Sequence, residues 1–374
     1  MKVSGAVLRE MALPAPYAES RPLEIADLEL DSPGAGEILV RVRAAGLCHS
    51  DLSVIDGSRP RVMPMVLGHE AAGEVVDVGP EVAGLAPGDH VVLTFVPTCG
   101  TCGPCLSGRA ALCEPGAAAN AAGTLLSGQR RWHGRDGEPL HHHLGVSAFA
   151  DHVVVSARSA VRVTAELPFD VAALFGCAVL TGVGAVLHSA RVRPGDSVAV
   201  FGLGGVGLAA LLGARVAGAG TIVAVDVVAD KLERARALGA THAVAGGPEA
   251  VEAVREATGG GATHVIETVG NARVLADAYA ATRRGGTTVT VGLPHPDQQL
   301  SLQAVSLVAE EKTLRGSYLG SSVPARDIPR FVELHRAGRL PVERLLTHRL
   351  ALDELNTGFD RLARGEGVRQ AVIF

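Results

Sequence analysis

The strongest constraint on this chain is Gly202-Leu203-Gly204-Gly205-Val206-Gly207, a G-x-G-x-x-G turn between two apolar segments of different period. Before it, Ser197 to Phe201 is a short continuous apolar run, as in a strand buried on both faces. After it, Val206 to Gly218 carries apolar residues at helical spacing. The alternation continues with a strand over Thr221 to Asp226 and a helix over Ala229 to Leu238. Segments at His264 to Thr268, Arg273 to Thr282 and Thr287 to Gly292 extend it. Apolar strands alternating with helices predict a parallel sheet covered on both faces.

A glycine turn of this type is a weak signal alone, but its setting makes it specific. Gly202, Gly204 and Gly207 let the backbone approach a pyrophosphate, whose charge then rests on the helix N-terminus among Leu203, Gly205 and Val206. Asp226 ends the second strand 19 residues past Gly207, the spacing of an acid that binds ribose hydroxyls. A carboxylate there favours NAD over NADP, since it repels a 2′-phosphate. Lys231 could reach the same ribose or stand as an exposed helix lysine.

Residues 1 to 175 read differently. Short alternating runs at Glu37 to Val42, Ala72 to Val78, His90 to Thr94 and His152 to Val155 are separated by Gly/Pro/Asp turns, which predicts a mainly β region. Residues 115 to 146 show no periodicity and are expected to form a long loop. The end of the chain returns to mixed structure and closes on a strand at Gln370 to Phe374. A chain of 374 residues with 47% apolar and 20% charged residues has material for two packed domains. A net charge of −5 gives no footprint for nucleic acid or an anionic membrane surface. The N-terminal residues hold no continuous apolar stretch of the signal-peptide kind, and the uncharged run between Asp196 and Arg215 is broken by glycines. A cytoplasmic location is expected, where thiols stay reduced.

Six cysteines then need a reason other than disulfides. Cys99-x-x-Cys102-x-x-Cys105 followed by Cys113 matches a closed tetrahedral Cys₄ zinc shell, with an iron–sulfur cluster or plain reduced thiols as alternatives. Cys48 and Cys177 lie far apart in sequence, with His69 between them. Singly, each could be ordinary packing. Together they make Cys₂His, a catalytic zinc set that leaves one coordination position open.

These motifs resemble the zinc-containing alcohol dehydrogenases of the medium-chain dehydrogenase/reductase superfamily over essentially the full chain. The resemblance rests on Gly46-Leu47-Cys48-His49-Ser50-Asp51, Gly68-His69-Glu70-Ala71-Ala72-Gly73, the four-cysteine loop, Gly176-Cys177 with Thr181-Gly182, and the 202–207 turn. The loop ending Gly137-Glu138-Pro139-Leu140-His141-His142 resembles the branch that includes the animal and plant enzymes. The implied fold class is α/β: a Rossmann dinucleotide-binding domain with a parallel sheet, plus a mainly β GroES-like catalytic domain. The implied boundaries are 1–178 and 319–374 for the catalytic domain and 179–318 for the NAD-binding domain.

The resemblance implies two zinc ions per chain, a catalytic one on Cys48, His69 and Cys177 and a structural one on Cys99, Cys102, Cys105 and Cys113. Glu70 matches an acid near the metal, Asp51 the carboxylate that orients the zinc-bound imidazole, and Ser50 the hydroxyl that takes the alcohol proton. His49 and Arg369 match pyrophosphate contacts, and Lys231 a ribose contact. Thr181, Val291, Gly292 and Leu293 match the nicotinamide surroundings, Val269 a further cofactor contact, and Phe95 a wall of the substrate channel. The implied reaction is NAD-linked interconversion of primary or secondary alcohols with aldehydes or ketones, in a cleft that excludes water. The proton leaves through Ser50 and a cofactor ribose hydroxyl. The implied assembly is a homodimer joined through the coenzyme domains, with Leu300 to Leu307 as candidate interface.

Several positions depart from the pattern. Many relatives have His where this chain has Ser53, so water or His49 is left to end the proton relay. Ala117 and Arg59 stand where the glutathione-dependent formaldehyde dehydrogenases carry an Arg and an acid, which disfavours thiol-adduct oxidation. Arg59 and Arg61 could meet an acidic substrate or be solvated loop residues; His141-His142-His143 has the look of another metal site but is expected instead to be a structural loop motif kept by the resemblance. A non-catalytic nucleotide-binding relative is the other alternative, disfavoured because all the matching ligands and Ser50 are present.

Overall fold

The computed structural model describes residues 1–374. The chain divides into two compact units: Met1–Cys177, Val323–Val332 and Leu346–Phe374 form one, and Ala178–Ser322 with Glu333–Leu345 form the other.

The first unit is mainly β. Strands Lys2–Leu8, Leu23–Leu30, Trp132–His133, Pro139–His142 and Met65–Val66 close a small barrel. A larger sheet runs in the order Ala160–Arg162, His90–Leu93, Glu70–Val78, Glu37–Gly46, Arg369–Ile373, Leu346–Leu350, and His152–Ser156 also pairs with Glu37–Gly46. The strand Glu37–Gly46 organises this sheet: at its C-terminal end Gly46 pairs with both Glu70 and Ala371. That register brings three distant segments, ending at Cys48, His69 and Arg369, to one place. Gly46 is needed there, because a Cβ would collide with the Glu70 carboxylate. Fully buried Trp132, Phe149, Phe359 and Ile38 belong to one apolar cluster in this unit. Each such side chain contributes on the order of 1.5–3 kcal/mol by leaving water.

Residues 115 to 146 are not the long loop expected. They contain most of the helix Glu114–Ala122 and the strands Trp132–His133 and Pro139–His142. Six of the nine residues of this helix are Ala or Gly and none is large and apolar, so it has little apolar stripe to detect. Its start is set by the Cys113 sulfur, which accepts the Gly116 N–H, and its end by Gly123 in the left-handed region at φ 66°. The two strands are too short to display alternation and gain their partners only from the barrel.

The second unit is built on a six-stranded parallel sheet in the order His242–Ala245, Thr221–Asp226, Ser197–Phe201, Ala262–Glu267, Thr282–Thr290, Thr313–Gly316. Numbered along the chain, this is 3-2-1-4-5-6, the doubly wound dinucleotide-binding order. The first strand and its neighbours bury Ala199, Phe201, Val223, Val225 and Val265. Helix Gly205–Ala217 follows the first strand directly. Gly202 has φ 89°, and a Cβ on Gly207 would strike the Gly202 carbonyl, so both glycines are required for the turn. No single helix is long and apolar enough to cross a membrane.

Candidate active site

Cys48, His69 and Cys177 come together in the first unit, all buried, with their ligand atoms within 4.8 Å of one another. Helix His49–Ile55 begins directly after Cys48, and the Asp51 side chain accepts the Cys48 backbone N–H at 3.2 Å through Oδ2. The same carboxylate meets His69 Nδ1 through Oδ1 at 2.9 Å. It thereby ties one ligand to another and leaves His69 Nε2 buried with no protein partner. A buried ring nitrogen flanked by two sulfurs fits a soft or borderline divalent ion. The Cys177 thiol, hydrogen-bonded to Cys48, together with Arg369 and His69, holds Cys48 well below the ordinary thiol range. That favours the thiolate form a metal requires.

Cys177 is brought in by the short helical turn Leu174–Gly176, which lies against the strand His90–Leu93. A Cβ on Gly176 would run into the Leu93 carbonyl, so glycine permits that approach. Glu70 is completely buried, neither carboxylate oxygen has a hydrogen bond, and burial pushes its pKa up to about 7 despite the nearby Arg369. Arg369 is itself buried; it donates to the Leu47 carbonyl at 3.0 Å and faces Glu70 at 3.6 Å. Its placement beside Glu70 and Cys48 was not contained in the expectation of a pyrophosphate contact. Ser50 is half-buried, with its hydroxyl 3.9 Å from the Cys48 sulfur. His49 is exposed on the same helix. Ser53 donates its hydroxyl to the His49 carbonyl at 2.8 Å, so it is engaged by its own helix. Phe95 stands edge-on to His69, with ring centroids 5.4 Å apart.

Sequence reading missed one neighbour. His143, third of the histidine run, is 1% exposed and brings Nδ1 to 3.2 Å from the same Asp51 oxygen. Its ring lies perpendicular to His69 at 5.6 Å. The run is therefore not merely a loop motif. His141 and His142 sit on a strand and pair with Met65 and Val66, which carries the chain to His143 beside the metal ligands. A histidine run says nothing of which member faces a distant aspartate, so only the folded register reveals it.

Cys99, Cys102, Cys105 and Cys113 also converge within 4.8 Å. The Cys99 sulfur accepts the N–H groups of Thr101 at 3.4 Å and Cys102 at 3.3 Å, and the Cys113 sulfur accepts those of Cys99 and Gly116. The Thr101 and Cys102 amides hold Cys99 down to about 6, as a thiolate ligand needs.

In the second unit, Asp226 accepts the Leu203 N–H at 2.7 Å and the Val228 N–H at 2.9 Å, which locks the acid to the glycine turn. Lys231 is half-buried in the helix that follows. Thr181 is buried, whereas Val269 and Leu293 are about half exposed. Glu267, also missed, accepts the Val269 and Gly270 amides at 2.7 Å and the Thr290 hydroxyl, while its carbonyl accepts the Val291 N–H. It thus joins the two loops carrying Val269 and Val291–Leu293. A single acid ending an apolar strand was the only trace it left in sequence.

Comparison with known proteins agrees with this architecture. Residues 34–165 match the alcohol dehydrogenase GroES-like domain, and residues 205–336 match the zinc-binding dehydrogenase domain. An NDMA-dependent alcohol dehydrogenase of Amycolatopsis methanolica is 40% identical, covering 100% of this chain and 99% of its own. An S-(hydroxymethyl)glutathione dehydrogenase of Paracoccus denitrificans is 36% identical over 95% of this chain and 97% of its own. Among solved structures, benzyl alcohol dehydrogenase from Acinetobacter calcoaceticus superposes with a TM-score of 0.92 at 32% identity, covering 100% of this chain and 99% of its own. The α/β fold, GroES-like plus Rossmann, and the relatives place the chain in one class, the zinc-binding oxidoreductases of the medium-chain dehydrogenase/reductase superfamily. Within that class, it belongs to the zinc-containing alcohol dehydrogenases.

Proposed function

We propose that this alcohol dehydrogenase uses NAD(H), carries one catalytic and one structural zinc per chain, and works as a cytoplasmic homodimer. The observation that carries the catalytic assignment is the buried Cys48–His69–Cys177 cluster with an unpartnered His69 Nε2. Cys48, His69 and Cys177 would hold the catalytic ion, and Cys99, Cys102, Cys105 and Cys113 the structural one. When bound, zinc supplies a Lewis acid for the substrate oxygen, and NAD supplies the hydride acceptor.

The remaining work falls to the chain itself. Asp51 fixes the His69 ring through Nδ1, so that only Nε2 is free to bind. Ser50 Oγ accepts the alcohol proton while giving up its own toward water or His49, so the hydroxyl relays the proton rather than keeping it. Phe95 forms an apolar wall beside His69. The amides at the start of helix Gly205–Ala217 receive the pyrophosphate, and Asp226 keeps acceptor capacity for ribose hydroxyls beyond its two amide bonds. Lys231 serves the same ribose, His49 and Arg369 the pyrophosphate, and Thr181, Val269, Val291, Gly292 and Leu293 the nicotinamide. Arg369 also offsets the buried Glu70 charge.

The dimer proposal is supported by the second unit's edge strand Thr313–Gly316 and the adjoining helix Ala304–Ala309, where Val305 is 62% and Val308 81% exposed. An open strand edge beside an apolar patch is a pairing surface. For thiol-adduct oxidation, Ala117 and Arg59 offer neither the cation nor the acid that the glutathione branch carries.

An alcohol and aldehyde panel, assayed by NADH and NADPH absorbance with NDMA as a parallel acceptor, tests the cofactor. NAD preference is expected. A clear NADP preference would refute the role given to Asp226, and turnover with NDMA alone would refute free NAD as co-substrate.

A further inference from the structure

Glu267 ends the strand Ala262–Glu267 of the parallel sheet and is 1% exposed. Its register neighbours are Phe201, directly before the glycine turn, and Thr290, the last residue of strand Thr282–Thr290. Its side chain spans both strand ends. Oε1 accepts the Val269 and Gly270 amides, each at 2.7 Å, and Oε2 accepts the Thr290 hydroxyl at 2.6 Å. The next residue grips the glycine turn. The Thr268 hydroxyl donates toward the Phe201 and Gly202 carbonyls, 3.1 Å and 3.0 Å away, and its amide donates to Phe201 at 2.9 Å. Packing closes the same bracket. A Cβ on Gly292 would collide with the Gly270 amide, one on Gly270 with the Leu293 backbone, and one on Gly202 with Val269 and Thr268. A buried acid is costly unless its hydrogen bonds are made. Here they are all spent on backbone and hydroxyl groups at the carboxyl ends of parallel strands, where open α/β sheets bind ligands.

We propose that Glu267 and Thr268 form a bracket that fixes the spacing between the pyrophosphate turn and the loops carrying Val269 and Val291–Leu293. Glu267 is then a positioning residue for the nicotinamide half of the cofactor. It acts by its length: one oxygen holds the loop after its own strand and the other holds the end of the neighbouring strand. A glutamine has the same reach, since its carbonyl can accept the two amides and its NH₂ can donate to the Thr290 hydroxyl. An aspartate keeps the carboxyl group but is one methylene too short to serve both. Ligands without a nicotinamide should be indifferent to the change, because the glycine turn that receives the pyrophosphate stays in place. This inference rests on the NAD(H) reading of the second unit.

The test compares NADH with ADP-ribose, which lacks the nicotinamide, by titration calorimetry on the zinc-loaded full chain without alcohol. Wild type should bind NADH more tightly. In Glu267→Asp and Glu267→Ala the NADH affinity should fall about tenfold or more, with ADP-ribose within about threefold of wild type. Glu267→Gln should keep both affinities within about threefold of wild type. Thr290→Val, which removes a single hydroxyl from the bracket, should lie between and carries the same test if Glu267→Ala does not fold. Equal weakening of both ligands in Glu267→Asp would make Glu267 a structural acid only. Loss in Glu267→Gln with Glu267→Asp spared would assign the effect to charge. Either result overturns the proposal, as does a wild type that binds ADP-ribose as tightly as NADH. Binding of neither nucleotide by wild type would fault the NAD(H) reading itself, and the bracket's role would fall with it.

Discussion

The Asp51 carboxylate divides its oxygens between the Cys48 amide and the His69 ring, so one side chain positions two candidate metal ligands. Asp51→Asn is expected to keep the fold and lower zinc affinity at the catalytic site by about 10–100-fold, measured by competition with a chelator. Affinity unchanged within a factor of two would remove Asp51 from that role. Ser50 and Ser53 form a second comparison. Ser53 is held by the His49 carbonyl, so Ser53→Ala should cost less kcat than Ser50→Ala, and the reverse order would give the relay to Ser53. The two clusters that converge in the structure were anticipated by different signals: Cys99, Cys102, Cys105 and Cys113 by their spacing, and Cys48, His69 and Cys177, far apart in sequence, by their combination and the family resemblance. His143, Glu267 and the Glu70–Arg369 contact were not, since each depends on a register between strands or loops far apart in the chain.

His142 shows how an element can carry a pH dependence. It lies on the strand Pro139–His142, its Nε2 accepts the Arg131 amide at 3.1 Å, and burial keeps its pKa down to about 3. In the unfolded chain the same ring takes a proton below its ordinary value of 6.5. Between those values the unfolded state binds more protons, so stability should fall as pH drops through that window. The slope from this group approaches ~1.4 kcal/mol per pH unit well inside it. Denaturant unfolding at stepped pH should show a shallower slope in His142→Asn than in wild type; parallel slopes would show that His142 is not the source. The turn opening helix Gly205–Ala217 admits a sharper test. Because a Cβ at 207 would meet the Gly202 carbonyl, Gly207→Ala should destabilise the chain by about 1–3 kcal/mol and weaken nucleotide binding. A stable, fully binding variant would contradict that packing. Four of the six parallel strands and the helices Gly205–Ala217, Ala229–Leu238 and Ala272–Ala281 were readable from period, whereas the short edge strands His242–Ala245 and Thr313–Gly316 and the helix Ala250–Ala257 were not. The helix Glu114–Ala122 was not, since a run of alanines has no stripe and its cap is a cysteine sulfur.

The molecule combines a sheet that brings the candidate metal ligands Cys48 and His69 together with a separate parallel sheet that forms the glycine turn. Its first unit is discontinuous in sequence: Arg369, from the last strand, stands beside Glu70 and Cys48 from the first 70 residues. That return of the chain could be expected only through the family resemblance, because no local pattern in residues 346–374 announces its partner strand. The most direct test of the whole account is zinc counted by mass spectrometry beside NADH-linked alcohol oxidation, in wild type and in His69→Ala. The account expects about two zinc ions per chain with turnover in wild type, and about one with turnover lost in a folded His69→Ala protein. A wild type that oxidises alcohols with one zinc or none, or a His69→Ala variant that retains both zinc and rate, would contradict it.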